Sequence, residues 1–305
     1  MAKSNCTQVT EFTLMGFTAD PVIQVMLFQM FLLIYLVTML GNLGIIMLIK
    51  TSPQLHSPMY YFLGNLAFVD LCFSTVVTPK MLADFMLEEK QVTYAGCIAQ
   101  VFIFDILGIA ECFLLATMAY DRYVAICHPL VYSVVMSPQL CFRLVFGSYL
   151  IGLVNSMSHT MGVLNLSFCG SKVIDFYFCD ISLLISLSTS DTTLNSTILI
   201  TSASLYGISS ILLVLSSYTA IFSTVLGIHS AKGKCKAFST CASHLTVVSI
   251  FYGTSFFMYL KPSSENSRAK EKWAVVLYAV VTPVLNPLIY SLRNKEVKGA
   301  LRRII

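Results

Sequence analysis

The sequence predicts an all-α integral membrane protein, a bundle of seven transmembrane helices followed by a short amphipathic C-terminal helix. Of its 305 residues, 56% are hydrophobic and only 11% are charged, whereas a soluble domain carries about 25% charged residues. Uncharged runs long enough to cross a bilayer, which takes about 20 residues, recur along the chain. Backbone groups in lipid must bond within their own segment, so these runs are predicted to be helices.

Seven such segments can be counted, and together they predict one domain, residues 1–305. The segments cover residues 22–49, 58–85, 96–126, 144–166, 197–228, 237–260 and 273–292. Residues 1–21 are then a tail before the bundle, and residues 293–305 form a tail behind it. No cleavable signal peptide is expected, because the first tail is charged and lacks an apolar core.

The basic residues predict an N-terminus outside the cell and a C-terminus in the cytosol. This orientation places the larger share of the 19 lysine and arginine residues on the cytosolic side, where membrane proteins carry an excess of positive charge. Glycosylation triplets begin at Asn5, on the predicted extracellular tail, and at Asn165 and Asn195, which flank the loop after the fourth segment. We therefore expect a multi-pass glycoprotein of the plasma membrane, modified at Asn5.

The ten cysteines sort by compartment under this topology. Disulfides form on the oxidising side, whereas cysteine within a helix usually acts as a small apolar residue. The cysteines within the segments or near the cytosol are Cys72, Cys112, Cys127, Cys141, Cys235 and Cys241. The disulfide candidates are Cys6, Cys97, Cys169 and Cys179.

Two adjacent opposite charges, Asp121 and Arg122, end the third segment. Arg122 follows Cys97 by about 25 residues, or roughly 37 Å along a helix that rises 1.5 Å per residue. That length is about a full membrane crossing with headgroups. The pair is therefore expected at the cytosolic mouth of this helix, where water and partner proteins begin.

Here the sequence resembles the olfactory receptors of the rhodopsin-like class of G-protein-coupled receptors. The motifs that carry the resemblance are GN at Gly41, LHSPMYYFLGNLAFVD from Leu55, TPKML from Thr78, MAYDRYVAICHPL from Met118, SY at Ser217, KAFSTCASHL from Lys236, FYG at Phe251 and PVLNPLIYSLRNKEV from Pro283. A lone DRY triplet is a weak signal, but this ordered set is specific. The resemblance implies a receptor of sensory transduction that binds small volatile odorants and activates a heterotrimeric G protein of the stimulatory type, raising cAMP.

The resemblance also implies a role for the charged pair and its neighbour Tyr123. In this receptor class the arginine matching Arg122 is held by the acid matching Asp121 at rest, and it is released to contact the G protein when the sixth helix swings outward. A charge pair that exchanges partners makes a two-state element. The alternative is that both charges only reach the lipid headgroups.

Asn286, Pro287 and Tyr290 lie in the motif of the seventh segment, where the proline removes a backbone hydrogen bond and bends the helix. In the receptor class, the tyrosines matching Tyr218 and Tyr290 approach one another on activation. The alternative is that both tyrosines only anchor the helices at the membrane interface.

Two carboxylates, Asp70 and Glu111, lie within the predicted helices, with Asn42 and Asn286 as polar neighbours. Carboxylates in a membrane bundle are functional by default, because hydrocarbon penalises them by about a few kcal/mol each. In related receptors the position matching Asp70 helps bind a sodium ion, and Glu111 is expected to share it. The alternative is that one or both carboxyls are protonated and hydrogen-bond their neighbours, so the sequence leaves sodium open as a cofactor and names no other.

The resemblance implies that the odorant, a small and mostly hydrophobic molecule, binds in the outer half of the bundle. Residues that share helical faces there form an aromatic and apolar site with a few hydroxyls and one acid, as small-ligand sites usually do. The candidate contacts are Phe104, Asp105, Gly108, Ile109, Cys112, Ser202, Tyr206, Tyr252, Ser255, Phe256, Tyr259, Val276 and Val280.

Asp105 is the acid of that site. A carboxylate at this depth must ionise beside a cation or stay protonated through desolvation. Two interpretations stay open: an internal partner, for which Lys80 is the candidate, or contact with the ligand, whose polar group Asp105 would then select.

The resemblance implies a disulfide between Cys97 and Cys179. The family usually carries two more loop cysteines that form a second bond, but Thr189 stands where the partner of Cys169 would be. We therefore expect Cys169 to be free or capped from outside, with Cys6 as its alternative partner.

The cytosolic side offers two lipid-facing features. Lys232, Lys234 and Lys236, with His229, form a basic loop before the sixth segment that suits anionic lipid or a G protein. The expected interfacial helix has an apolar face of Val297, Leu301, Ile304 and Ile305, and a basic face of Lys298 and Arg302. Membrane lipids are thus expected partners, and nucleic acid is not.

Two rival classes are weighed against a receptor. A transporter of a small solute is the alternative function, but its halves would be expected to repeat, and these do not. An intramembrane enzyme would need a histidine beside a nucleophile or paired acids at one depth. His159 and His244 are expected toward opposite faces of the membrane, so no enzyme is predicted.

Overall fold

The computed structural model describes residues 9–227, 230–259, 268–293 and 295–304. Its long helices, labelled in chain order, are α1 (Pro21–Thr51), α2 (Pro58–Met86), α3 (Tyr94–Cys127), α4 (Pro138–Leu164), α5 (Thr193–Leu226), α6 (Ala231–Tyr259), α7 and α8 (Lys295–Ile304). α7 consists of Arg268–Val276, a π-helical stretch Leu277–Val281, and Thr282–Arg293. Short helices at Pro53–Leu55, Pro129–Val131, Tyr132–Val135 and Ile181–Leu187 lie in the connections.

The predicted bundle is confirmed, with α1 to α7 as its seven helices. Among the described residues, six helices are long and apolar enough to cross a membrane, namely α1 to α5 and the Lys272–Ile289 part of α7. The first turns of α6 carry polar residues. Its predicted start at residue 237 is too late, so Lys232, Lys234 and Lys236 lie in the helix rather than in a loop. His229 is outside the described residues.

Local capping explains why several helices begin before their apolar run. The Asp20 carboxylate accepts hydrogen bonds from Val22 N and Ile23 N at the start of α1. The Ser137 hydroxyl accepts one from Leu140 N, so α4 starts at Pro138 rather than at the predicted residue 144. Side-chain oxygens at this position bond otherwise unpaired N–H groups, and proline favours the first helical residue.

A three-stranded sheet covers one end of the bundle, and the sequence analysis did not anticipate it. The strands are β1 (Glu11–Leu14), β2 (Gln91–Thr93) and β3 (Val173–Ile174), in the order β2-β1-β3. β1 runs antiparallel to β2 and parallel to β3. Phe12 and Leu14 alternate with exposed residues and are fully buried under the sheet. We call this end of the molecule the capped end.

An aromatic cluster and an ion pair fix the cap on the helices. Phe17 stacks on Tyr177 with ring centroids 4.5 Å apart, and also contacts Trp273 at the start of α7. Lys272 Nζ lies 2.7 Å from the Asp175 carboxylate and 2.9 Å from the Gly16 carbonyl oxygen. Gly16 has a φ of 70°, which residues with a Cβ rarely adopt.

The expected disulfide between Cys97 and Cys179 is present and ties α3 to the loop after β3. The expectation for Cys169 is wrong, because this cysteine is disulfide-bonded rather than free. Its partner is not among the described residues, and Cys6, the alternative partner, is itself outside them. Thr189 donates from its backbone and its hydroxyl to Ser167 O, so it still closes this loop without a cysteine.

α1 meets α7 at the point where the proline interrupts the backbone. A Cβ on Gly41 would lie 3.1 Å from Pro287 Cγ, so glycine is needed for the close approach. Because Pro287 has no N–H, the Pro283 carbonyl loses its helical donor. Asn42 Nδ2 donates to this carbonyl at 2.9 Å and replaces the missing hydrogen bond.

The predicted C-terminal helix is confirmed as α8. Val297 is buried against the bundle, and Lys298 is exposed, as an interfacial helix requires. The Tyr60 hydroxyl donates to the Glu296 carboxylate at 2.6 Å and docks α8 on α2. The predicted apolar contacts of Leu301, Ile304 and Ile305 lie outside the described side chains.

Candidate functional site

A polar cluster joins three helices in the half of the bundle nearer the capped end. Asp105 Oδ2, on α3, accepts hydrogen bonds from Asn155 Nδ2 at 2.9 Å and from His159 Nδ1 at 3.0 Å, both on α4. Lys80, the expected partner, instead pairs with Asp84 one turn along its own helix. The pairing of Asp105 with Lys80 is therefore wrong, because a closer carboxylate on α2 takes the cation.

The cluster extends to α5 through the histidine. His159 Nε2 lies 2.9 Å from the Ser202 hydroxyl, so Asp105, His159 and Ser202 form a continuous chain. His159 therefore lies beside an acid and a hydroxyl at one depth, an arrangement that the sequence did not indicate. His244 does lie far from this cluster, in the opposite half of the bundle.

Close packing of α3 against α4 positions the cluster. A Cβ on Gly152 would lie 2.6 Å from the Ile106 carbonyl oxygen, a contact that side chains do not make. The Ser156 hydroxyl donates to the Phe102 carbonyl at 2.7 Å from the same face. Glycine thus lets the two backbones approach, and Asp105 comes within hydrogen-bond distance of α4.

Aromatic rings form a wall around Phe104, the neighbour of Asp105 on α3. The Phe104 ring lies 4.5 Å from Phe73 on α2, 5.0 Å from Phe178 of the cap and 6.2 Å from Tyr278 on α7. A Cβ on Gly108 would lie 3.1 Å from the Tyr278 hydroxyl, so the glycine admits this side chain. Sequence reasoning missed Phe73, Phe178 and Tyr278, because faces were assigned helix by helix and the π-helical stretch of α7 changes its face.

Below this wall the candidates of three helices meet. Cys112 Sγ lies 2.9 Å from the Ser210 hydroxyl on α5 and 3.7 Å from the Tyr252 hydroxyl on α6. Tyr206 packs edge-on against Phe113 at 6.0 Å. The structure therefore brings these candidates together, and it adds Ser210, which the sequence analysis did not name.

The remaining candidates divide by exposure. Val276 and Val280 are buried in α7, and Ile109 is partly buried. The Ser255 hydroxyl donates to its own helix at Phe251 O. Phe256 is 47% exposed and so faces away from the bundle interior, which contradicts its predicted position. The side chain of Tyr259 is outside those described.

The glycosylation triplets differ in access. Asn165 is exposed at the end of α4, although its amide donates to Met161 O. Asn195 lies in the first turn of α5, and its Nδ2 atom is buried against Gly162. Asn195 is therefore poorly placed for a glycan, and Asn5 is outside the described residues.

The buried carboxylates form a second polar site deeper in the bundle. Asp70 accepts two hydrogen bonds from Asn286 Nδ2, at 2.9 and 3.1 Å. Glu111 is also buried. Several buried oxygens around these residues lack a partner, namely Asn42 Oδ1, Ser74 Oγ, Glu111 Oε1 and Asn286 Oδ1. Unpartnered oxygens beside two carboxylates fit the needs of a hard cation such as sodium.

Arg122 is buried at the end of the bundle opposite the cap. It is 5% exposed, and its Nε and Nη1 atoms have no partner. The expected ion pair is not formed, because no oxygen of Asp121 lies within 4.0 Å of this guanidinium in the described structure. Asp121 instead accepts a hydrogen bond from Tyr132 at 2.8 Å. Burial and the Asp121 carboxylate raise the pKa of Tyr132, which keeps this phenol a donor.

A histidine is the partner of Tyr218, one of the two expected tyrosines. The Tyr218 hydroxyl on α5 lies 2.7 Å from His244 Nδ1 on α6, and His244 Nε2 lies 3.1 Å from the Leu115 carbonyl on α3. His244 is fully buried. It therefore bridges α3, α5 and α6 next to Arg122, and the quoted motif around it was its only signal in the sequence. The side chain of Tyr290 is outside those described.

Known proteins share both the sequence and the fold. The family model for the olfactory receptor matches residues 31–305. The chain is 51% identical to olfactory receptor 5G9 of Mus musculus over all 305 residues, covering 97% of that protein, and 49% identical to olfactory receptor 5AR1 of Homo sapiens, covering 98%. It is also 53% identical to the olfactory receptor-like protein COR4 of Gallus gallus, covering 98%.

Among solved structures, squid rhodopsin superposes with a TM-score of 0.77 at 19% identity, covering 94% of this chain and 81% of the rhodopsin chain. At that identity the likeness concerns the fold alone, and it places the seven helices in the rhodopsin arrangement. Together with the full-length match to the family, it shows that the chain belongs to the olfactory receptors, which are G-protein-coupled signalling receptors of the membrane and not enzymes.

Proposed function

We propose that this receptor binds a small volatile, mostly hydrophobic molecule in the half of the bundle near the capped end, and that binding activates a heterotrimeric G protein of the stimulatory, olfactory type, which raises cAMP. The receptor would lie in the plasma membrane with the cap outside the cell and α8 in the cytosol. Membership of the receptor family leaves no support for the transporter alternative.

The single observation that carries the proposal is the state of Arg122. An arginine in a membrane bundle is costly unless its N–H groups are satisfied, yet two of its nitrogens are buried without a partner. Such a group is stabilised by any conformation that supplies acceptors. A G protein inserted between α3 and α6 would supply them, so coupling would relieve a cost that the free receptor carries.

The link between α3, α5 and α6 supports a two-state mechanism. His244 holds α6 to α3 and α5 through two hydrogen bonds. An outward movement of α6 would break both, so the closed arrangement is favoured until a ligand stabilises the open one. Tyr218, released from His244, would be free to meet Tyr290, with Asn286 and Pro287 allowing α7 to bend. Tyr123 hydrogen-bonds His128 and would hold the end of α3.

A sodium ion is proposed for the deeper polar site. Asp70 and Glu111 would supply negative charge, and the unpartnered oxygens of Asn42, Ser74 and Asn286 would complete the ligands. A cation there offsets the repulsion of two carboxylates in a medium of low dielectric. The ion would stabilise the compact, inactive arrangement of α2, α3 and α7.

Arg122→Ala tests the coupling. In cells that contain the stimulatory G protein, wild type should raise basal cAMP above that of untransfected cells, and Arg122→Ala should remove the increase at equal surface expression. Arg143→Ala is the matched control, because Arg143 is exposed at the start of α4 on the same side of the membrane. Basal and agonist-driven cAMP equal to wild type in the Arg122 variant would refute the proposal.

A further inference from the structure

A chain of hydrogen bonds links Asp105, His159 and Ser202 among the predicted ligand contacts. Each polar hydrogen in this chain already has an acceptor within the protein. From this we propose that the polar end of the ligand is a hydrogen-bond donor, an alcohol or an amine, and that the site rejects isosteres of the same shape that only accept. The inference rests on the proposed function, since it concerns the same ligand site.

Asp105 supplies the first acceptor. Its Oδ2 atom already receives hydrogen bonds from Asn155 and His159, whereas Oδ1 has no partner among the described residues. The side chain keeps 20% exposure, so it is not sealed within the protein. A carboxylate oxygen offers lone pairs and no hydrogen, which means that a ligand must bring the hydrogen itself.

His159 cannot reverse this polarity. When Asp105 is ionised it cannot donate, so the 3.0 Å contact then requires the hydrogen on Nδ1 of the histidine. In the neutral ring Nε2 then accepts the Ser202 hydrogen. In the charged ring Nε2 donates to Ser202, whose own hydrogen then goes to the Leu199 carbonyl at 3.1 Å.

Ser202 is therefore an acceptor toward the ligand in either case. A hydroxyl has one hydrogen and two lone pairs, and both arrangements spend the hydrogen within the protein. The two atoms left to contact a ligand are Asp105 Oδ1 and Ser202 Oγ. Neither has a hydrogen to donate to it. This conclusion does not depend on the protonation state of His159.

The local charge adds to the preference for a donor. Asp180, which begins the short helix Ile181–Leu187, lies close enough for Asp105 to act on it: burial first, and the Asp105 charge in addition, raise the pKa of the Asp180 carboxyl.

No lysine or arginine forms an ion pair with Asp105 in the described structure, since Lys80 pairs with Asp84 and Lys272 with Asp175. An ionised Asp105 without a lysine or arginine partner favours a polarised or cationic donor over a lone-pair acceptor.

The aromatic wall limits the rest of the ligand. Phe104 and its ring neighbours lie near Asp105 on α3, so the body of the molecule is expected to be apolar and compact. The sequence alone allowed Asp105 either to pair internally or to read the ligand. The structure shows that it has both an internal partner and a free oxygen, so the two roles are compatible.

The test uses matched series in which one scaffold is presented as a primary alcohol, a primary amine, an aldehyde and a methyl ether, on hexyl, octyl and benzyl bodies. In cells expressing the receptor, at least one alcohol or amine should activate cAMP with a potency at least about tenfold above that of its ether, the worth of one net hydrogen bond to a charged group. Asp105→Asn, which offers an amide hydrogen, should reduce that ratio severalfold or invert it, and Ser202→Ala should reduce it as well.

Two control variants and one independent readout keep the outcomes distinct. Glu88→Gln and Ser204→Ala, at exposed positions on the capped side and on α5, should leave the alcohol-to-ether ratio unchanged. Responses confined to aldehydes or ethers, no response to any alcohol or amine, or a ratio untouched by both site variants would each overturn the proposal. Basal cAMP that is lost in Arg122→Ala reports the proposed coupling separately, so failure of the ligand class leaves that function standing.

Discussion

Gly152→Ala is predicted to force α4 away from α3 at the polar cluster. The added Cβ would lie 2.6 Å from the Ile106 carbonyl oxygen. To reach 3.4 Å, the start of ordinary van der Waals contact, the helices must separate by about 0.8 Å. The hydrogen bonds from Asn155 and His159 to Asp105, now 2.9 and 3.0 Å, would lengthen to about 3.7 and 3.8 Å, where a hydrogen bond is no longer made.

The cost follows from overpacking and from the lost polar contacts. Forcing extra volume into a packed contact costs about 1–3 kcal/mol. Glycine-to-alanine also stabilises a helix by roughly 0.5–1 kcal/mol, so a matched control is needed. Gly147→Ala is that control, because nothing lies within 4 Å of its Cβ on the same helix.

The assay compares the melting temperatures of both variants in detergent. Melting is monitored as the loss of monodisperse receptor on size-exclusion chromatography after heating. Relative to Gly147→Ala, Gly152→Ala should melt lower by about 2–12 °C, at roughly 2–4 °C per kcal/mol. Equal melting temperatures for the two variants would refute the argument that α3 and α4 are in contact here.

Three further predictions follow from individual contacts. His244→Phe removes the hydrogen bonds to Tyr218 and to Leu115 O, so basal cAMP should rise severalfold; a basal level equal to or below wild type would speak against His244 as a closing contact. Burial raises the pKa of the Asp180 carboxyl in the folded state, so folding favours the protonated form. The free energy of unfolding therefore falls as the pH rises and this carboxyl ionises. Asp180→Asn, which keeps the helix cap, should raise the melting temperature at pH 7 and leave it nearly unchanged at about pH 4. Peptide mapping without reduction should find Cys169 in a disulfide, and an alkylatable Cys169 thiol would contradict the structure.

The helical bundle could be predicted because the bilayer imposes it. Apolar length alone identifies the spans, and the ordered motifs identify the family. The ends were less predictable, since Ser137 and Asp20 start helices through caps that lie outside the apolar runs. The sheet of the cap was missed because its strands are two to four residues long and come from distant parts of the chain.

The sequence predicted which helical faces line the site, but not which side chains form hydrogen bonds between the helices. Periodicity placed Asp105 and Ser202 toward the interior, and the structure brings both into one chain. Sequence gave no reason to choose His159 over Lys80 as the partner of Asp105, because that choice depends on the approach of α4 to α3 at Gly152. The predicted position of Phe256 was wrong for a related reason, because helical periodicity does not say which face of a helix contacts lipid.

The central claim is that ligand binding near Asp105 changes the conformation around Arg122, on the other side of the membrane. The most direct measurement is guanine-nucleotide exchange on purified stimulatory G protein, catalysed by the purified receptor in lipid nanodiscs, with and without the most potent alcohol or amine from the matched series. We predict that this compound accelerates exchange with wild type, acts at higher concentration on Asp105→Asn, and has no effect with Arg122→Ala. Equal acceleration by the wild type and the Arg122 variant, or no acceleration by the wild type, would contradict the account.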